Sequence, residues 1–171
     1  MSKIGFMQGR LVRSEKKNFV QSFPWKGWKK ELGIAKKIKI KIIEWTIDYY
    51  KFDKNPLIDQ KKIKYVKQQL KKNNVKLTSV TCDFYMQKPI TKQKSNFLKL
   101  KSKNQISKLI NSCKFLKVKN IIIPLVDNSS LKNSTDEKKT INFFLKFNNQ
   151  LKTNNIRILF EIDYPTRKVI S

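Results

Sequence analysis

Two carboxylates stand inside apolar stretches of this 171-residue sequence, where a charge is poorly solvated. Glu44 lies in the segment IIEW, and Glu161 lies in the segment LFEI. A buried carboxylate must be hydrogen-bonded, paired with a cation or bound to a metal, because an isolated charge is costly to remove from water. Each of the two residues therefore caps a neighbouring helix, pairs with a lysine or belongs to a functional site.

Other polar residues also follow apolar runs that have the composition of β-strands. If the strands are parallel, these residues gather at one edge of the sheet, which is where such folds bind their ligands. Four of the five runs end near a carboxylate, so the set as a whole favours a functional site. In chain order the residues are Gln8, Gly9 and Arg10; Glu44, Trp45 and Asp48; Cys82, Asp83 and Tyr85; Asp127 and Asn128; and Glu161 and Asp163.

The apolar pattern alternates between short β-rich runs and longer helical periods, without a low-complexity linker. Ser134 followed by Glu137 has the spacing of a capping box at a helix start. The pattern predicts strands at residues 3–7, 40–46, 77–83, 120–126 and 157–162, and helices at residues 24–38, 56–73, 96–116 and 136–153.

This alternation predicts an α/β fold with parallel strands joined by right-handed crossovers. Strands such as IIIPLV are apolar on both faces, which suits an open doubly wound sheet or part of a (β/α)8 barrel. The chain contains neither G-x-G-x-x-G after the first strand nor G-x-x-x-x-G-K-[ST]. The dinucleotide-binding and P-loop functions therefore lose their main support.

The chain carries 39 basic and 12 acidic residues and a formal net charge of +27. Such an excess can reflect nucleic-acid binding through phosphate contacts. The lysines are spread along the whole chain and arginine is scarce, so a solvated basic surface is the simpler interpretation. We therefore expect only nonspecific contact with nucleic acid. A specific alternative, binding or cleavage of nucleic acid, stays open.

Several residue counts limit the possible chemistry. The absence of histidine excludes Ser-His and Cys-His pairs and histidine metal ligands from this chain. Cys82 and Cys113 sit in apolar segments and are expected to be buried free thiols. Trp25, Trp28 and Trp45 are expected to pack in the core.

No apolar run is long enough to cross a membrane and none forms a signal-peptide core, so we expect a cytoplasmic protein.

Four segments, in this order, resemble the sugar phosphate isomerase/epimerase proteins of the xylose isomerase-like TIM-barrel superfamily, which also contains the AP endonuclease family 2 fold. The segments are IGFMQGRLV, QSFPWKGWKKELGIAKKIKIKIIEW, SVTCDFYMQKP and ILFEIDYP. The resemblance spans essentially the whole chain. It implies an incomplete parallel (β/α) barrel, with residues 1–171 forming one partial domain of about five of the eight βα units.

The resemblance also implies a site. A divalent metal, Mn, Mg, Co or Zn, would bridge oxygens of a sugar or sugar phosphate and stabilise the enediolate formed by proton removal. Glu161 is implied as a metal ligand that also takes part in proton transfer. Gln8, Arg10, Glu44 and Asp83 are implied to line the substrate side of the pocket.

Such barrels draw their other metal ligands, typically an aspartate, a histidine and a second glutamate, from strands six to eight. This chain ends soon after the fifth predicted strand, so we expect the cofactor only in a completed barrel and negligible activity from this chain alone. A second chain could supply the missing units and cover the edges of the sheet. The leading hypothesis is the amino-terminal part of a sugar isomerase or epimerase. The alternative is a nucleic-acid-binding or abasic-site endonuclease-like protein of the same superfamily.

Overall fold

Five parallel strands form one sheet in the computed structural model, which describes residues 4–13 and 22–164. The strands pair in the order β1-β2-β3-β4-β5, so each strand adds to the edge left by the one before it. The elements are β1 (Gly5–Met7), α1 (Trp28–Lys37), β2 (Ile42–Thr46), α2 (Ile63–Lys72), β3 (Lys76–Thr81), α3 (Asp83–Gln87), α4 (Asn96–Leu116), β4 (Asn120–Leu125), α5 (Ser134–Leu145), α6 (Asn148–Thr153) and β5 (Arg157–Ile162).

One face of the sheet carries the core. Ile43, Trp45, Val80, Ile121 and Ile123 are almost completely buried in one cluster with the apolar sides of the helices. The alternation of side chains along a strand places the intervening residues on the other face. The pairing shifts by one residue between β2 and β3, because Ile43 lies opposite Leu77 whereas Glu44 lies opposite Ser79. The predicted α/β fold with parallel strands is confirmed.

Four helices end in the same way before the following strand. The residue two places after α1, Lys39, has a φ of 60°, and the next residue, Ile40, donates its N–H to the carbonyl of Ala35. This is a Schellman motif, which satisfies carbonyls that the helix end leaves unpaired. Asn74, Lys117 and Asn155 occupy the equivalent left-handed positions after α2, α4 and α6, and an apolar residue follows each. The motif is thus built without glycine.

The predicted helix 96–116 and the predicted strand 157–162 have the observed bounds. The helix predicted at 24–38 begins only at Trp28, since a turn closed by the carbonyl of Pro24 precedes it. The helix predicted at 56–73 begins at Ile63, after turns closed by Asn55 and Asp59.

The segment predicted as one helix at 136–153 forms two helices, α5 and α6, which are separated at positions 146 and 147. The expected capping box of Ser134 and Glu137 is wrong. Asn133 is the N-cap residue, and its side-chain oxygen accepts the N–H of Asp136 at 3.0 Å. Glu137 instead accepts a hydrogen bond from the hydroxyl of Tyr164.

The strand predictions are correct in number and order but wrong at several ends. Residue 3 of the predicted strand 3–7 lies outside the described residues. The strand predicted at 40–46 starts at Ile42, because Ile40 closes the preceding helix. The strand predicted at 77–83 runs from Lys76 to Thr81, and Asp83 opens the unpredicted helix α3. The strand predicted at 120–126 ends at Leu125.

The two cysteines are buried free thiols, as expected. Burial raises the pKa of both thiols, because a thiolate is poorly solvated there. Across the described part of the chain, no helix combines the length and the apolar character that a membrane span requires.

Candidate active site at the carboxyl ends of the strands

Glu44 is held by two hydroxyl groups of the neighbouring strand. The hydroxyl of Ser79 donates to one carboxylate oxygen at 2.7 Å, and the hydroxyl of Thr81 donates to the other at 2.5 Å. Hydrogen bonds to an ionised group are shorter and stronger than neutral ones, so they offset part of the loss of solvation of this half-buried carboxylate. Neither a helix cap nor a lysine is needed to explain Glu44. The three residues form a polar patch on the sheet face away from the core.

Gln8 follows β1 one residue after Met7, which pairs with Glu44, so the alternation of side chains places Gln8 on the core face beside this patch. Its backbone N–H donates to the carbonyl of Glu44 at 2.9 Å, and its side-chain oxygen accepts the N–H of Thr46 at 3.2 Å. The side chain is completely buried, and its Nε2 has no hydrogen-bond partner among the described residues. A buried N–H donor without a protein partner is costly unless an enclosed water molecule or another acceptor satisfies it.

The turn after Gln8 has little conformational freedom. Gly9 has a φ of 93°, and a Cβ atom at this position would lie 2.6 Å from the carbonyl oxygen of Ser22. Only glycine fits such a position without displacing the backbone. Arg10 is exposed at the outer side of this turn. The backbone of residues 8–10 is therefore fixed, whereas the guanidinium group of Arg10 reaches solvent.

Glu31 is a residue that the sequence analysis missed. Its side chain is completely buried in α1, and its Oε1 accepts the N–H groups of Gly9 at 2.7 Å and Leu11 at 3.0 Å. Burial raises the pKa of this carboxyl, and the backbone hydrogen bonds only partly offset the rise. Glu31 lies three residues after Trp28 and directly before Leu32, on the apolar side of the helix. That position was a signal that could have identified it.

Three aspartates follow the strands β2, β3 and β4, each two residues after the strand ends. Asp48 is buried, accepts the N–H of Phe23 at 2.8 Å and accepts an N–H from the Gln87 side chain at 3.2 Å. It therefore ties the segment before α1 to α3. Asp83 is buried at the first position of α3. Asp127 is exposed at the end of β4.

Glu161 lies on β5, opposite Pro124 of β4, one residue before the end of the strand. It is exposed, and its side chain makes no hydrogen bond or ion pair within residues 4–13 and 22–164. The apolar neighbours of Glu161 thus do not bury it in this part of the chain, and the expected desolvation is not found. Glu44 and Glu161 stand three strands apart, which corresponds to about 14 Å across a sheet. The structure joins Gln8 and Glu44 by a backbone hydrogen bond but leaves Glu161 separate.

The three tryptophans differ in burial. Trp28 and Trp45 are buried in the core, as expected. The indole N–H of Trp45 donates to Asn55 at 3.0 Å, and the same oxygen accepts the N–H of Leu57. Trp25 is only half-buried and packs edge-on against Phe23.

A divalent metal requires several ligands converging on one point. Among the described residues, no group of three or more Asp, Glu, Cys or His side chains is placed to hold a metal ion. The described residues therefore do not by themselves form the metal centre that the resemblance implies. The assignment of Glu161 as a metal ligand stays a prediction.

Known proteins resemble this chain in structure and not in sequence. No protein-family model matches the sequence, and no curated protein matches it. Among solved structures, a 3-keto-D-glucoside 4-epimerase from E. coli is 13% identical, with a TM-score of 0.61 over 94% of this chain and 56% of that chain.

Two further structures have the same fold. A xylose isomerase-like TIM-barrel protein from Mycobacterium smegmatis, in complex with magnesium, is 13% identical, with a TM-score of 0.60 over 86% of this chain and 52% of that chain. A D-psicose 3-epimerase in the presence of D-fructose is 12% identical, with a TM-score of 0.58 over 76% and 45%. The fold is therefore that of part of a TIM barrel, and the chain spans about half the length of the structures it matches.

Proposed function

We propose that this chain is the amino-terminal part of a sugar or sugar-phosphate isomerase or epimerase that moves a proton next to a carbonyl group. The observation that carries the proposal is the exposed carboxylate of Glu161 at the carboxyl end of β5, in a fold shared with sugar epimerases. Active sites of barrel enzymes lie at this end of the strands. An exposed carboxylate there is accessible to a substrate.

In the proposed reaction Glu161 removes the proton from the carbon next to the carbonyl and returns it to another position or face. A carboxylate positioned within hydrogen-bond distance of the substrate can act as such a base. Gln8, Arg10, Glu44 and Asp83 are proposed to bind the oxygens of the sugar. The Nε2 of Gln8, which has no partner among the described residues, is the donor proposed for one of these oxygens.

A divalent cation belongs to the proposed site, but the proton transfer by Glu161 is described without it. One structural neighbour contains magnesium, whereas the described residues hold no group of three ligands. Glu161 is proposed as one carboxylate ligand, with the other ligands outside the described residues.

The test is hydrogen exchange in the full-length protein that contains these 171 residues. The protein is incubated in D2O with a panel of ketohexoses and their phosphates, with and without added Mn²⁺, and deuterium at the carbon next to the carbonyl is followed by NMR. We expect exchange in at least one sugar. Glu161→Gln should reduce the rate at least about 100-fold, in the range of general acid–base catalysis.

Arg157→Gln is the matched control. Arg157 lies on the same strand and, by the alternation of side chains, on the same face as Glu161, but at the opposite end of β5. This variant should retain the exchange rate within about twofold, because surface substitutions away from a site have small effects. Absence of exchange in every sugar, or equal loss in both variants, would overturn the proposal.

A further inference from the structure

A groove between the amino-terminal ends of α1 and α2 is lined by none of the site residues proposed above. It has a volume of about 510 Å³, which is in the range of small-molecule sites. Its apolar part is formed by Trp25, Trp28 and Tyr65, together with Pro56. We call it the α1–α2 groove. The proposed isomerase chemistry makes no use of it.

The rest of the lining is basic. Five of the nine lining residues are lysines, whereas the chain-wide share of 39 basic residues in 171 would give about two. The lysines are Lys29, Lys51, Lys54, Lys61 and Lys62. No carboxylate lines the groove, and within the described residues Lys62 alone of the five forms an ion pair, with Asp59 at 3.1 Å. Positive charge in the groove is thus largely uncompensated.

The ammonium groups lie beside the aromatic rings. The Nζ of Lys51 is 5.7 Å from the centre of the Trp25 ring, and the Nζ of Lys29 is 5.9 Å from the centre of the Tyr65 ring. Tyr65 is 41% exposed, and its contact with Trp28 is edge-on, at 87° between the ring planes. The ring of Tyr65 is therefore not stacked on that of Trp28, and its exposed surface lies next to positive charge.

The backbone of the two helices also contributes positive electrostatic potential to the groove. The groove is lined by residues at the start of both helices, and the N-terminal end of a helix carries partial positive charge. The first turn of α2 contains no acidic residue, whereas that of α1 contains Glu31, whose carboxylate accepts the N–H groups of Gly9 and Leu11 and does not line the groove. This supports anion binding but does not identify the anion. The aromatic residues of the lining favour an anion that also carries a planar ring.

We infer that the α1–α2 groove binds a phosphorylated nucleoside, with the base against the exposed ring of Tyr65 and the phosphate among the lysines. A planar base stacks on an aromatic ring, and lysine binds phosphate as a point charge. The same chemistry is offered by a free nucleotide and by the 5′-phosphorylated end of a single-stranded RNA. The inference is independent of the proposed isomerase function.

The test uses tryptophan fluorescence of the intact chain, because two of its three tryptophans line the groove. AMP, adenosine, pyrophosphate and a 5′-phosphorylated oligoadenylate are titrated at about 0.15 M salt, where exposed charges are largely screened beyond about 8 Å. We expect AMP to change the fluorescence at lower concentration than either adenosine or pyrophosphate. Tighter binding of the oligoadenylate than of AMP would identify a strand end as the ligand, and equal binding would identify the free nucleotide.

The charge control comes from a second basic cavity, between α4 and α5, which is lined by Lys99, Lys103, Lys139 and Lys146. The double variant Lys51→Gln/Lys54→Gln and the control Lys139→Gln/Lys146→Gln remove the same charge. We expect the first to weaken AMP binding at least about tenfold and the second to leave it within about twofold.

The ring is tested by Tyr65→Leu, with Phe115→Leu as its control on another exposed ring. We expect a loss of roughly tenfold for Tyr65→Leu alone, the size of one stacking contact. Equal binding of pyrophosphate and AMP, or equal losses in the two lysine double variants, would reduce the effect to nonspecific attraction and overturn the inference.

Discussion

The buried carboxylate of Glu31 accepts the backbone N–H of Gly9 at 2.7 Å, across 22 residues of sequence. This bond joins α1 to the turn that carries Gln8 and Arg10. Because the second oxygen of Glu31 has no partner among the described residues, the carboxylate is only half satisfied. The turn at the candidate active site is thus coupled to the protonation of a core residue.

This coupling predicts a pH dependence of stability. Burial raises the pKa of Glu31 above its ordinary value of 4.5, so the folded state binds this proton more tightly than the unfolded state. The contribution is fully present below pH 4.5 and is lost as pH rises through the raised pKa. Urea midpoints of the wild type should fall over that interval, and Glu31→Gln should remove this part of the fall. The control Asp163→Asn, at an exposed carboxylate, should retain it, and an unchanged slope in Glu31→Gln would contradict the prediction.

A second prediction concerns the hydroxyl groups that donate hydrogen bonds to Glu44. Thr81→Val removes one donor with little change in shape, so it should lower the free energy of unfolding by about 1.5–3 kcal/mol, the value of a hydrogen bond to a charged group. Thr78→Val on the same strand is the control, because Thr78 makes no side-chain hydrogen bond within the described part of the chain. Urea denaturation measures both. A loss of equal size in the two variants would show that Glu44 does not depend on Thr81.

Two glycines give a matched pair. Gly9→Ala should destabilise the fold by at least about 2 kcal/mol, because φ is 93° and the new Cβ would lie 2.6 Å from the carbonyl oxygen of Ser22. Gly33→Ala lies within α1 with nothing within 4 Å of the new Cβ. It should stabilise the protein by about 0.5–1 kcal/mol, because alanine favours helix. Thermal unfolding should therefore shift in opposite directions, and shifts of the same sign would refute the assignment of Gly9.

The Schellman motif after α4 predicts a stabilising substitution. Lys117 has a φ of 59°, a conformation that costs a residue with a Cβ about 1–2 kcal/mol and costs glycine nothing. Lys117→Gly should raise the free energy of unfolding by about 1 kcal/mol. Lys114→Gly, three residues earlier inside the helix, should lower it by about 1 kcal/mol. Both are read from urea unfolding curves, and a loss of stability in Lys117→Gly would count against the motif.

The strands and their order along the chain were predictable, because runs rich in β-branched residues, such as IIIPLV, are typical of β-strands when they alternate with helical segments. The sequence did not predict the division of α5 from α6, because Phe143, Phe144, Phe147 and Leu151 continue the apolar period across the break. It also placed several helix and strand ends wrongly. The left-handed residues at the helix ends are lysine and asparagine, so glycine, the usual signal, is absent there.

The residues of the candidate site were predictable from the sequence, but their hydrogen-bond partners were not. The segment IIEW indicated that Glu44 needs a partner, yet Ser79 and Thr81 lie 35 and 37 residues away and only the pairing of β2 with β3 brings them near. The apolar residues next to Glu161 in the sequence also predicted its burial, but the described structure leaves it exposed on an edge strand. Apolar neighbours in sequence indicate burial of a strand residue only when the strand is paired on both sides.

The strict strand order also has a consequence for how the chain folds. Within residues 4–13 and 22–164, each strand pairs only with the strands before and after it in sequence. During synthesis on the ribosome, every new βα unit can dock on an edge that already exists. Because folding slows as contacting residues lie farther apart in sequence, pairing between successive strands keeps this separation near the smallest that a βα unit allows. The sheet described here is thus suited to growing one strand at a time from its amino terminus.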